Sequence, residues 1–282
     1  MTTTAKKTST RKKAAQKKPA LVDATLITGA SGGIGEALAA KFAKGGSNLI
    51  LVARSKAKLE KIASDLAKQH GITAIALPTD LSVPGAGKQL FDGIQMRGFH
   101  VETLVNNAGI LEMGAFGEID SARHLELVQL NVVALTELTS LFVPPMIKRG
   151  AGRILNVASI AAFQPVPSLA TYAATKAFVL SLTESLSEEL KPHGVTATAL
   201  CPGVTDTNMV AGVKSKNDAA AKIPNFMVSD VETVAAEGYL ACMKGEVIRV
   251  PGIVNMAAAV AGRASPRWLL RAVSGALGRL AL

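Results

Sequence analysis

The stretch Ala24-Thr25-Leu26-Ile27-Thr28-Gly29-Ala30-Ser31-Gly32-Gly33-Ile34-Gly35 decides the fold. A short apolar run suited to a buried strand passes straight into a glycine-rich turn, and a helical pattern opens from that turn. Gly29 lets the chain turn, and Gly33 leaves the backbone bare where an anion can approach. Gly35 lets the helix pack tightly on the strand. A helix that starts here presents unpaired N–H groups and positive potential, which suits a pyrophosphate. Thr28, Ser31 and Ile34 complete the expected phosphate-binding turn.

Outward from this turn, apolar strands alternate with helical patterns. Strands are predicted at 24–28, 48–53, 73–77, 102–106, 152–158, 195–201 and 246–250, and helices at 34–45, 55–70, 84–98, 121–148 and 170–192. This alternation predicts an α/β, doubly wound, Rossmann-type fold: a seven-stranded parallel sheet with helices on both faces, three layers αβα. One catalytic domain is expected over 21–252. Residues 204–228 interrupt the alternation after the sixth strand and are expected to form a substrate lid.

The composition sets limits. Of 282 residues, 49% are hydrophobic and only 4% aromatic, which fits a core of Ala, Val, Leu and Ile. The formal charge of +10 is carried by the ends. Residues 1–18 hold seven basic groups and 247–282 hold five arginines, with no acid in either. Removing these twelve charges leaves the body at −2. Residues 1–20 therefore read as a disordered basic tail that attracts polyanions weakly, with no specific nucleic-acid partner expected. The tail has no apolar core for a secretory signal and no amphipathic face for organelle targeting. No uninterrupted run of 18 apolar residues is present. Cys201 and Cys242 are expected as buried thiols in a reducing, cytoplasmic setting, and the four histidines show no metal-ligand spacing.

The end of the second strand selects the nicotinamide cofactor. An acid there would bind the adenosine ribose and repel a 2′-phosphate. The chain instead reads Leu51-Val52-Ala53-Arg54-Ser55, and the planar fork of Arg54 suits a phosphate. NADP(H) is favoured, with NAD(H) as the alternative. Asp80 and Leu81 follow the third strand, where a carboxylate can accept from an adenine amino group. Asn107, Ala108 and Gly109 follow the fourth, near the ribose. Pro202, Gly203, Val204, Thr205 and Thr207 follow the sixth, near the nicotinamide. No metal is expected.

Tyr172 and Lys176 stand four apart on a predicted helix and so share one face. A nearby ammonium lowers a phenol pKa and makes it a usable proton donor and acceptor. Ser159 can donate to a carbonyl oxygen that gains negative charge. Asn131 can hold a water that relays protons to Lys176. Phe163, Val166, Met209, Phe226 and Met227 make an apolar substrate surface.

These motifs, TGASGGIG at 28–35, NNAG at 106–109, Ser159, YAATK at 172–176 and PG at 202–203, resemble those of the short-chain dehydrogenase/reductase family. Asn131 matches the fourth member of its Asn-Ser-Tyr-Lys tetrad, and LVAR resembles NADP-preferring members. The resemblance covers about residues 22–250. It implies an NAD(P)-dependent oxidoreductase interconverting a ketone or aldehyde and an alcohol, as a homodimer or homotetramer through its two long helices. Alternatives are an NAD-dependent alcohol or hydroxysteroid dehydrogenase, and a nucleotide-binding scaffold without turnover.

Outside the shared core, residues 253–282 form a basic extension. From Pro266, arginines 267 and 271 share one helical stripe and Trp268, Leu269, Leu270 and Val273 the opposite face. Such a helix suits a peripheral membrane contact or closure over the domain or a partner subunit. Gly275 and Gly278 favour the second.

Overall fold

The computed structural model describes residues 21–207 and 228–279, with the side chains of the last helix through 276. The expected tail and most of the expected lid, including Met209, Phe226 and Met227, lie outside the described residues.

Seven strands form one parallel sheet in the order β3-β2-β1-β4-β5-β6-β7. They are β1 (Val22–Thr28), β2 (Asn48–Ala53), β3 (Ala74–Pro78), β4 (Phe99–Asn106), β5 (Gly152–Val157), β6 (Val195–Leu200) and β7 (Ile248–Arg249). The strand order reverses between β1 and β4, and a crevice opens there beyond the carboxyl ends, where ligands bind in sheets of this kind. The central strands are buried on both faces, which is why they read as continuous apolar runs.

On one face lie α1 (Gly33–Lys44), α2 (Lys56–His70) and α7 (Val231–Lys244), which close a core around Leu38, Phe42, Leu59 and Val234. On the other lie α3 (Ala86–Met96), α4 (Ser121–Val128), α5 (Leu135–Arg149) and α6 (Ala170–Leu190). There Leu90, Leu138, Phe142 and Met146 meet Leu26, Ile50 and Leu104 from the sheet. Phe42 and Phe142 are fully enclosed, and each contributes about 1.5–3 kcal/mol relative to exposure. Residues 121–149 have the length and mean hydropathy (1.5) to cross a membrane. Their apolar side chains Leu138, Phe142 and Met146 are instead spent on this core.

Three departures from the sequence reading matter. The predicted helix 121–148 is not uniform: α4 and α5 are joined by a wider π-helical turn, Gln129–Ala134, that contains Asn131. α7 was not anticipated. Asp230 caps its start by accepting from Thr233 N at 2.8 Å, and Gly245 in the left-handed conformation ends it. Gly238 faces Leu200, where any side chain would collide with the sheet. The C-terminal extension is two helices, α8 (Ile253–Ala264) and α9 (Arg267–Arg279).

Candidate active site

A cleft of about 700 Å³ runs along the carboxyl ends of the strands at the switch point. At one end lie Gly29, Ser31, Gly33 and Ile34 from the glycine turn, with Arg54 and Ser55 after β2 and Asp80 and Leu81 after β3. Asn107, Ala108 and Gly109 form its middle. Ser159, Tyr172, Lys176, Pro202, Gly203, Val204, Thr205 and Thr207 complete the other end.

The turn fits a pyrophosphate on its own geometry. Gly29 and Gly33 have φ of +66° and +54°, in the left-handed region that favours glycine. A side chain at Gly29 would run into the Asn107 amide and the Ala108 backbone. The N-cap of α1 is Gly32, which has no side chain to cap the helix, and the first turn opens on the cleft, an arrangement that suits an anion. Thr28 and Gly35 do not line the cleft but build it. The Thr28 hydroxyl accepts from Asn107 N and Ala108 N, both at 3.0 Å. The Asn107 amide donates to Thr28 O at 2.9 Å and Gly29 O at 3.2 Å. Both amide hydrogens are therefore committed to tying β4 to β1. The Asp80 carboxylate accepts from the Ser82 hydroxyl at 2.6 Å and Ser82 N at 3.0 Å. Those bonds, with Arg54 nearby, hold it below the usual carboxylate range.

At the catalytic end, Ser159 leaves β5 and caps the short turn Ile160–Phe163, accepting from Ala161 N at 3.2 Å. One residue thus serves both as cap and as cleft hydroxyl. α6 brings Tyr172 and Lys176 to the same wall. Burial raises the Tyr172 pKa, and a hydrogen bond from Ser159 opposes the rise. Lys176 is almost wholly buried and donates to Val157 O at 2.8 Å. Burial pulls its pKa down to about 8, slightly opposed by the nearby Cys201. Its Nζ lies 5.8 Å from the centre of the Tyr172 ring.

Asn131 does not line the cleft. Its amide accepts from Ile110 N at 2.9 Å and donates to Ile110 O at 3.0 Å and to the Thr175 hydroxyl at 3.2 Å. It clamps the segment after β4 against α6, one residue from Lys176. Phe163, expected at the substrate, is turned away. Its ring lies 5.6 Å from the Arg263 guanidinium, and its backbone meets Gly262 of α8. Val166 does line the cleft, beside Ile110, Leu111, Ile160 and Leu169. The described ends of the expected lid are joined, since Thr205 pairs with Ser229 and Asp206 N donates to Ser229 O at 3.1 Å.

Sequence reasoning missed a buried polar thread beneath the site. Asn106 donates to Asn156 at 2.9 Å and to Thr139 at 3.1 Å, and Asn156 donates to Thr183 at 2.9 Å. It links β4, β5, α5 and α6, and inside a protein such bonds fix relative position. An asparagine in the middle of a buried strand, as in Gly152–Val157, is the available signal. Asn255 of α8 was also missed. Its side chain fills the space beside Gly203. Cys201 and Cys242 are buried, with pKa values pushed up to about 12 by burial, so neither is a nucleophile at neutral pH.

The model of the short chain dehydrogenase family matches residues 23–218. A very-long-chain 3-oxoacyl-CoA reductase of Phaeosphaeria nodorum is 37% identical over 179 residues, covering 60% of this chain and 51% of that protein. The chain therefore matches only about half the length of that relative. A 3-oxoacyl-(acyl-carrier-protein) reductase of Aquifex aeolicus is 30% identical over 236 residues, 81% of this chain and 95% of that one. A short-chain dehydrogenase from Sphingobium yanoikuyae, solved in complex with NADPH, superposes with a TM-score of 0.75 at 32% identity, covering 92% and 95% of the two chains. With the sheet order, the glycine turn and the Ser-Tyr-Lys cluster, these matches settle the classification: the chain belongs to the short-chain dehydrogenase family and is an oxidoreductase acting between carbonyl and alcohol groups.

Proposed function

We propose that the protein reduces an apolar, acyl-like ketone with NADPH, Tyr172 serving as the proton donor. The observation that carries this reading is the single cleft with Arg54 at one end and Ser159, Tyr172 and Lys176 at the other. The nicotinamide cofactor, when bound, supplies the hydride. Arg54 and Ser55 would hold its 2′-phosphate, the glycine turn its pyrophosphate, and the turn at 202–205 its nicotinamide end.

The chain's own residues do the rest. Ser159 donates to the carbonyl oxygen and fixes its position. Tyr172 gives its proton to that oxygen as charge develops there, and takes it back in the reverse direction. Lys176, when charged, stabilises the phenolate left behind. Asn131 acts as a positioning residue through Ile110 and Thr175.

A pH dependence follows from the burial of Lys176. Below about pH 8 the ammonium is charged and helps Tyr172 release its proton. Above it that help is lost, so ketone reduction is level at lower pH and falls as pH rises through about 8. Lys176→Arg keeps its charge and removes this limb. An unmoved limb in that variant would assign the titration to another group.

The apolar substrate rests on Ile110, Leu111, Ile160, Val166 and Leu169, which line the cleft; among the described residues the charged ones lining it are Arg54, Asp80 and Lys176. The names of the 3-oxoacyl reductase relatives point the same way. A series of 3-oxoacyl thioesters of increasing chain length should show KM falling with length, by up to about fourfold per buried methylene. A flat series would remove the acyl preference while leaving the carbonyl chemistry.

The reading includes a homodimer or homotetramer in a reducing, cytoplasmic setting. Leu125, Val128, Val133 and Phe178 are apolar and exposed on the two long helical segments, a surface that suits a partner copy. Phe178→Glu should lower the mass measured by light scattering to that of one chain; an unchanged mass would place the contact elsewhere.

A further inference from the structure

The apolar surface of the C-terminal helices is not used by the site. Ile253 is 89% exposed, and Val254 and Val260 of α8 are exposed with it. On α9, Trp268 is 65% and Val273 52% exposed, and Leu269 is exposed too. Leu270 and Ser274 on the other side of α9 are half-buried, so the exposed apolar side chains lie on its outward side. Exposed apolar side chains gathered on consecutive helices mark a contact surface.

Charge indicates what that surface meets. Residues 247–282 contain five arginines and no acidic residue. Arg249 is paired with Glu237 and Arg263 with Glu184, so both serve the body of the protein. Arg267 and Arg271 are exposed and stand four apart, one stripe on the side of α9 opposite Trp268, Leu269 and Val273. With no acid among residues 247–282 to pair with these arginines, the arrangement suits an anionic lipid surface better than a second copy of the same segment.

We propose that α8 and α9 dock the protein on an anionic lipid bilayer, with Trp268 at headgroup depth. A helix with an apolar face on one side and arginines on the other lies in such an interface, held by buried apolar area and by attraction to the acidic headgroups. The contact has a consequence for the cleft. α8 packs on the Ile160–Phe163 turn and places Asn255 against Gly203, two elements that line the cleft. Docking through α8 holds that end of the cleft close to the lipid surface, where an acyl substrate would be found.

Trp268 is the only tryptophan in the chain and reports directly. The full-length protein, without cofactor, is mixed with vesicles of phosphatidylcholine alone or of phosphatidylcholine with phosphatidylglycerol. Anionic vesicles should shift its emission to the blue, and brominated acyl chains should quench it. Arg267→Gln with Arg271→Gln should weaken binding roughly 30-fold, each basic group near an anionic surface contributing about fivefold. Val273→Asp should abolish the quenching while NADPH binding, which uses none of these residues, stays intact. Replacing Lys6, Lys7, Lys12 and Lys13 by Gln tests the basic tail and should leave the Trp268 shift in place. The proposal fails if anionic vesicles leave the emission unmoved or if the tail variant alone loses it. It also fails if the blue shift appears without lipid as protein concentration rises, since a second copy would then cover the face.

Discussion

Tyr172→Phe should bind NADPH as the native protein does and turn over roughly 10²–10⁴-fold more slowly, the usual contribution of a positioned acid. The change removes one oxygen and the proton it carries, and leaves the ring that fills the wall of the cleft. Nothing else there replaces that proton. Ser159 is the neighbouring hydroxyl, but an aliphatic hydroxyl is a far weaker acid than a phenol, and its oxygen already accepts from Ala161 N. Lys176 is held by its bond to Val157 O, with Nζ 5.8 Å from the centre of the Tyr172 ring, where its charge stabilises the phenolate. The measurement is steady-state ketone reduction beside a binding titration by nicotinamide fluorescence. A loss in binding equal to the loss in turnover would make Tyr172 a wall residue and no acid.

Arg54→Ala should weaken NADPH binding by about tenfold to a hundredfold and leave NADH binding nearly unchanged. A hydrogen bond to a charged group is worth about 1.5–3 kcal/mol, and the difference between the two cofactors is one phosphate. The position is telling: Arg54 follows β2 at the end of the cleft marked by the glycine turn, and the acid that would select NADH is absent there. Equal losses for both cofactors would mean that Arg54 supports the cleft wall and selects nothing.

Periodicity and glycine made the sheet and the cleft legible in the sequence. Buried parallel strands are apolar runs, and a glycine required by φ or by close contact cannot be replaced, so both leave local marks. α7 left weaker marks. Its buried face is Val234, Ala235, Gly238, Ala241 and Cys242, mostly small residues with little contrast to the rest of the helix. Its cap at Asp230 and its stop at Gly245 were nonetheless present in the sequence.

Tertiary choices left none. That Asn107 would spend its amide on Thr28 and Gly29, or that Phe163 would turn under Arg263, depends on elements far apart in the chain. The same holds for Asn131. Its residue type was readable, but its clamp on Ile110 requires the wider turn at Gln129–Ala134, which no local pattern announces. The source of the Tyr172 shift also belongs to the folded state, because desolvation is a property of packing.

The central claim is that hydride passes from NADPH to a carbonyl carbon in this cleft while Tyr172 protonates the oxygen. It is tested most directly by mixing the protein with NADPH carrying two deuteriums on the transferring carbon and an apolar 3-oxoacyl thioester, then weighing the product by mass spectrometry. The account predicts a 3-hydroxy product carrying one deuterium on its carbinol carbon, formed by the native protein and nearly absent with Tyr172→Phe. An alcohol without deuterium, or equal product from both proteins, would contradict it.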